Sequence, residues 1–171
     1  METMEKKGLP ILHCKEPKIL LLGSLPGDKS LDCEEYYSDS RNRFWKVIAA
    51  LQGVEQVPSD YEKRKEMLSA VHISLWDVYN EAFRTTSLDK DIKDATLNGL
   101  VEELEKYPQI DTIAFNGNKA SECIPSIQEE ISKELPNRMI KYVSLPNSSG
   151  ANQKYCPTKD LIEIWKEKLL G

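Results

Sequence analysis

Four short apolar runs alternate along the chain with stripes of helical spacing. Ile19-Leu20-Leu21-Leu22 follows Lys18 and stops at Gly23; the run from His72 to Trp76 stops at Asp77; Thr112 to Phe115 stops at Asn116-Gly117; and Met139 to Leu145 stops at Pro146. Continuous apolar runs bounded by turn residues suit central strands of a parallel sheet covered on both faces. Between them, Phe44, Val47, Ile48 and Leu51 keep the three-then-four spacing of one helix face, as do Leu97, Leu100, Val101 and Leu104. Ile124, Ile127, Ile131 and Leu135 form a third stripe, and Leu161, Ile164, Trp165 and Leu169 a last one. Asp60 to Val71 reads as a more charged helix. Strict alternation of strands and helices predicts an α/β fold, a three-layer α/β/α sandwich around a four-stranded parallel sheet with right-handed crossovers. The expectation is one domain over residues 1–171, with its core at about 18–169.

Ligands of such sheets bind outside the carboxyl ends of the strands, so the segments to search are Gly23 to Arg43, Asp77 to Asp91, Asn116 to Lys119 and Pro146 to Cys156. After the first strand, Gly23-Ser24-Leu25-Pro26-Gly27 offers an open backbone whose amides can approach a developing anion; an ordinary strand-to-loop turn is the other reading. No Gly-Lys-Ser or Gly-Lys-Thr follows, so it is not a P-loop. The same segment continues as Tyr36-Tyr37-Ser38-Asp39-Ser40-Arg41-Asn42-Arg43-Phe44-Trp45. Tyrosines here can stack on a planar base and arginines can meet phosphates. Phe44 lies on the apolar stripe and is expected in the core, and Asn42 is equally suited to cap the helix. The last strand leads into Leu145-Pro146-Asn147-Ser148-Ser149-Gly150-Ala151-Asn152-Gln153-Lys154-Tyr155, whose small polar residues allow another backbone to come close or form a plain surface loop. Asp77 and Asn116 place a carboxylate and an amide at the tips of the second and third strands.

Composition narrows the picture. With 171 residues, 40 % hydrophobic and 30 % charged, and a mean hydropathy of −0.51, the chain can bury a core without staples and has no segment able to span a bilayer. Residues Met1 to Gly8 are polar and lack the apolar run of a secretory signal, which predicts a cytoplasmic protein. Cys14, Cys33, Cys123 and Cys156 form no C-x-x-C pair, and His13 and His72 have no companion ligand nearby, so neither a metal nor another cofactor is expected. The net charge of −5 weighs mildly against nucleic acid as partner.

The ordered set of segments nevertheless carries a resemblance. Gly23 to Gly27, Tyr36-Tyr37, Arg41-Asn42-x-Phe44-Trp45, Leu75-Trp76-Asp77-Val78, Thr86-Ser87-Leu88-Asp89, Phe115-Asn116-Gly117 and the Leu145-Pro146 loop follow the order of the uracil-DNA glycosylase superfamily, and the chain most resembles its hypoxanthine-DNA glycosylase branch, family 6. The mismatch-specific uracil/thymine branch is similar over residues 42–48 and over Leu145-Pro146-Asn147-x-Ser149-Gly150. That branch has a catalytic asparagine where this chain has Leu25, which cannot hold water; the family 6 resemblance moves the role to Asn42. The family 6 loop reads Tyr-Tyr-Ala-His-Pro-Arg-Asn, and here Ser38, Asp39 and Ser40 replace Ala-His-Pro.

The resemblance implies a DNA glycosylase that removes deaminated bases, hypoxanthine foremost, by hydrolysis of the N-glycosidic bond; a monomer is the default expectation for one compact domain. Asn42 would orient the water through its carbonyl, with the amides of Ser24 and Leu25 stabilising the leaving base. Tyr37 would stack on the extruded base, Gly23 and Gly27 would line its pocket, and Asp77 and Asn116 would read its edge. Arg41, Arg43 and the loop of Pro146, Asn147, Ser148, Ser149, Gly150, Ala151, Asn152, Gln153 and Lys154 would contact DNA. Few basic contacts imply a shallow salt dependence. A mismatch-specific uracil/thymine glycosylase and a non-catalytic nucleotide-binding module are the competing readings; a thiol redox protein lacks its cysteine pair.

Overall fold

The computed structural model describes residues 4–7, 9–24, 30, 33–39, 41–84, 93–97, 99–149, 152 and 158–170, with the backbone alone over 4–7, 80–84 and 93–97. Strands β1 (Met4–Lys7) and β2 (Ile19–Gly23) are followed by helices α1 (Phe44–Leu51) and α2 (Tyr61–Ala70). Then come β3 (Ile73–Asp77), β4 (Tyr79–Arg84), β5 (Lys93–Leu97), α3 (Leu100–Lys106), β6 (Thr112–Asn116), α4 (Asn118–Ser121), α5 (Ile124–Glu134), β7 (Lys141–Leu145) and α6 (Thr158–Leu170). Four of these strands form a parallel sheet in the order β3-β2-β6-β7.

Alternation along a strand sends neighbouring side chains to opposite faces, and both faces are covered. Ile19 and Leu21 join Leu75, Ala114 and Val143 under Phe44, Val47 and Ile48 of α1, Leu68 of α2 and Leu161 and Trp165 of α6. Leu20, Leu22, Ile113 and Phe115 pack on the other side with Leu100 and Leu104 of α3, Ala120 of α4 and Ile127 and Ile131 of α5. Two helical layers thus enclose the sheet, and Phe44 lies in the core with no exposed surface. Asp60 caps α2 by accepting from the Glu62 N–H at 3.0 Å.

Several expected boundaries move. His72 has φ +58 and precedes the strand instead of opening it. Met139 is 89 % exposed, and β7 starts two residues later at Lys141. From Tyr79 to Arg84 the expected loop is a strand: β4 follows Asp77 after one residue and pairs antiparallel with β1 and β5 in a second, three-stranded sheet, while residues 85–92 lie outside the described residues. Strict alternation therefore fails there, and Leu97 ends β5 instead of belonging to the following helix. Likewise Asn118 already opens α4 where a loop through Lys119 was expected.

Candidate active site

The parallel sheet brings four strand ends together. Gly23 is the register partner of Asp77, and Asn116 that of Leu145. Gly23 is where the site has least room. A Cβ there would lie 2.6 Å from Asp77 Oδ1 and 2.9 Å from Tyr37 Oη, so a carboxylate and a phenol close over its Cα. Asp77 and Ser24 are both buried. The chain is held flat at this point because Val78 donates to the Gly23 carbonyl (2.7 Å) and Tyr79 to that of Ser24 (3.1 Å).

The two adjacent tyrosines part company. Tyr36 is buried: its hydroxyl donates to the carbonyls of Leu9 (3.2 Å) and Pro10 (2.9 Å), its N–H to Tyr61 Oη, and its carbonyl accepts from Trp45 Nε1. Burial above all, and then the neighbouring Asp77 carboxylate, push the ionisation of this hydroxyl far above its usual range, so it remains a donor. Tyr37 has φ +53, and its ring stacks on Phe44 at 4.0 Å between centroids while keeping a tilted contact with the Tyr36 ring at 6.3 Å. The Tyr37 hydroxyl accepts from Asn116 Nδ2 at 3.3 Å.

From that hydroxyl a chain of hydrogen bonds runs across the strand ends. Asn116 Nδ2 also donates to Ser148 Oγ (2.9 Å), while Asn116 Oδ1 accepts from the Ser148 N–H (3.0 Å). Ser148 Oγ donates in turn to Asn42 Oδ1 (2.7 Å), and that oxygen also accepts from the Phe44 N–H (2.9 Å). Asn42 therefore caps α1 from one residue outside it, since Arg43 in the cap position makes no side-chain capping bond. Ser148, with no exposed surface, joins Asn42 and Asn116 through its hydroxyl.

Two expected roles change. Arg43 was expected to contact DNA; instead it is buried, its N–H donating to the Ser148 carbonyl (2.9 Å) and its Nη2 to the carbonyls of Ser149 (3.0 Å) and Asn152 (2.9 Å). The reason is its place at the start of α1, where the carbonyls of Ser149 and Asn152 both come within reach of one guanidinium nitrogen. Arg41 is exposed and paired with Asp39 at 2.9 Å. Asn116 was expected to read a base edge; both its amide hydrogens and its oxygen are engaged within the site, and the residue is 4 % exposed.

The loop after β7 is tied down where it is described. The Pro146 carbonyl accepts from Trp165 Nε1, Asn147 Oδ1 from the Ser149 N–H, and the Asn147 carbonyl from Asn152 Nδ2, each at 2.9 Å. The Asn147 side chain lies over Gly117, whose φ of +97 suits glycine and where a Cβ would come within 2.8 Å of Nδ2. Leu25, Gly27, Gly150, Ala151, Gln153 and Lys154 lie outside the described residues, as does Cys156. Among the described residues no three His, Cys, Asp or Glu side chains gather as metal ligands would. Sequence reasoning missed the linking role of Ser148, the buried strut made by Arg43 and the anchor at Trp165, since a serine in a polar loop and an arginine before a helix carry no distinguishing pattern.

This arrangement at the strand ends can be set beside known proteins. Residues 10–168 match the family model of the uracil DNA glycosylase superfamily. The chain belongs to that superfamily. Hypoxanthine DNA glycosylases of Methanosarcina acetivorans and Methanosarcina barkeri are each 33 % identical to it. The first alignment covers 92 % of this chain and 94 % of the relative, the second 88 % and 90 %. A solution NMR structure from Methanosarcina acetivorans, assigned as a uracil DNA glycosylase, superposes with a TM-score of 0.78 at 31 % identity, covering 96 % of this chain and 98 % of that one. The protein is thus a DNA glycosylase, and the network of Tyr37, Asn116, Ser148 and Asn42 lies at the end of the sheet where an α/β fold receives its ligand.

Proposed function

We propose that this glycosylase removes deaminated bases, hypoxanthine foremost, from DNA by hydrolysing the N-glycosidic bond. The observation that carries the substrate class is the buried carboxylate of Asp77, held with the Tyr37 hydroxyl over the Cα of Gly23. Deamination turns the acceptor N1 of adenine into the N1–H of hypoxanthine, and the acceptor N3 of cytosine into the N3–H of uracil. An ionised carboxylate only accepts hydrogen bonds. It therefore welcomes the lactam N–H of a deaminated base and leaves the unmodified base with two acceptors facing each other. Sites that recognise by a buried hydrogen bond discriminate by about 10⁴-fold or more against a partner that cannot make it.

The nucleotide must leave the stack to reach this pocket, at a cost of about a few kcal/mol that is lower for a mispaired base. Tyr37, backed by Phe44, supplies the stacking surface. Asn116 supports Tyr37 and Ser148 and acts on the base through them. Asn42 is the candidate catalytic side chain, with Ser24 and the following amides as the cradle for charge on the departing base. The relatives' names support hypoxanthine as first substrate. One copy of one domain, working in the cytoplasm, is the proposed unit. No helix among the described residues is long and apolar enough to cross a membrane.

The test uses end-labelled oligonucleotides carrying hypoxanthine, uracil or xanthine, incubated with the protein and then cleaved at abasic sites with alkali. Hypoxanthine strands are expected to break fastest and adenine strands to stay intact. Preference for uracil opposite guanine would favour a mismatch-specific enzyme, and absence of cleavage on every strand would leave a nucleotide-binding module.

A further inference from the structure

We propose that Asn42 serves the reaction through its amide NH₂, as a hydrogen-bond donor to the departing base, and that Ser148 is the positioning residue that turns it so. This deepens the proposed glycosylase reading and rests on it. The orientation of the Asn42 amide is not free. The Phe44 N–H can only donate, so the atom 2.9 Å from it is the oxygen. Ser148 Oγ receives a hydrogen from Asn116 Nδ2 and so directs its own hydrogen to the same Asn42 oxygen, 2.7 Å away. An amide oxygen has two lone pairs, and both are taken. A water that must pass a proton to an acceptor finds none on this oxygen unless the helix cap or the serine bond is broken. What the half-exposed side chain still offers is Nδ2 with its two hydrogens.

A donor suits the other half of the chemistry. As the bond from C1′ to the base nitrogen breaks, its electron pair stays on the base, and negative charge spreads over the ring nitrogens and carbonyl oxygens. An NH₂ group fixed beside those atoms stabilises that charge. Water oxygen then bonds to C1′, and the proton it releases neutralises the base, so that one water is consumed and nothing is oxidised or reduced. Removing one fixed donor of this kind typically lowers a rate by about 100- to 1000-fold.

The decisive variant is Asn42→Asp, because a carboxylate oxygen can still accept from Phe44 and Ser148 and only the donor is exchanged for an acceptor. Single-turnover excision is measured on a labelled duplex containing deoxyinosine, with wild type, Asn42→Ala and Asn42→Asp in parallel and folding checked by thermal melting. Wild type is expected to excise, and both variants to fall on the order of 100-fold or more. An Asn42→Asp rate near or above wild type would overturn the donor role and return Asn42 to holding water. Failure of the wild type itself to release the base would instead sink the glycosylase assignment to this substrate. Ser148 is tested separately and does not depend on the aspartate variant folding. Ser148→Ala should lower the chemical step about tenfold, the scale of a misoriented group, with affinity for an uncleavable deoxyinosine analogue unchanged. Ser148→Thr, which keeps the hydroxyl, should restore most of the rate. An unchanged rate in Ser148→Ala, or a loss confined to affinity, would remove Ser148 from positioning.

Discussion

At the amino ends of the four parallel strands the backbone closes on itself. Lys18 and Ile19 donate to the His72 carbonyl at 2.9 and 3.0 Å, Asp111 and Thr112 to that of Lys18 at 3.0 and 3.3 Å, and Lys141 to that of Asp111 at 2.8 Å. At the carboxyl ends Val78 and Tyr79 donate to the carbonyls of Gly23 and Ser24 and Gly117 to that of Leu145, and around these bonds side chains join the backbone. There Asn42, Asn116, Ser148 and Arg43 supply the bonds that hold the turns. Both solutions satisfy buried polar groups. Only the second leaves functional groups in fixed directions, because a side-chain amide or guanidinium pinned at one atom presents its others at set angles. The same network that finishes the fold is the one proposed above to serve the reaction.

That contrast can be broken in graded steps. Gly23→Ala places a methyl where the Asp77 carboxylate and the Tyr37 hydroxyl now meet. Excision should fall on the order of 100-fold, the scale of a displacement of about 1 Å in a reacting site, as read by single-turnover kinetics on a deoxyinosine duplex. Next in its effect on excision, Arg43→Ala removes a buried fork from two carbonyls. Hydrogen bonds to charged groups contribute about 1.5–3 kcal/mol each, so a loss of about 3–6 kcal/mol is expected in urea titration, with excision reduced because Ser149 and Asn152 lose their anchor. At the opposite end, Asp111→Ala should change stability by no more than about 0.5 kcal/mol and leave excision as it was, since the exposed carboxylate accepts from the Thr112 hydroxyl while the backbone carries the ladder. A large loss of excision from Asp111→Ala would erase the distinction between the two ends.

The parallel sheet was readable because its apolar runs are continuous: Ile19 to Leu22 and Thr112 to Phe115 can only be strands covered on both faces. The second sheet was not, because Tyr79 to Arg84 and Lys93 to Leu97 mix charged and apolar residues, and Leu97 falls three residues before Leu100, a helical spacing by coincidence. At the candidate site, Tyr37, Asn42, Asp77 and Asn116 could be singled out because polar and aromatic residues at strand ends stand out against apolar runs. Their division of labour was hidden. Nothing in the composition of Arg41-Asn42-Arg43 tells that one arginine faces solvent and the other ties a distant loop, for that depends on where β7 returns the chain. The engagement of Arg43 within the chain agrees with the expectation drawn from the net charge of −5: with few cations to release counterions, affinity should vary little with salt.

The indole of Trp165 is fully buried and bonded to the Pro146 carbonyl, and that of Trp45 to the Tyr36 carbonyl, so two of the three tryptophans in the chain touch the segments that frame the site. The enzyme thus carries intrinsic optical probes on both segments of its candidate site, and a change in their emission on mixing with a deoxyinosine duplex is the expected sign of DNA binding there.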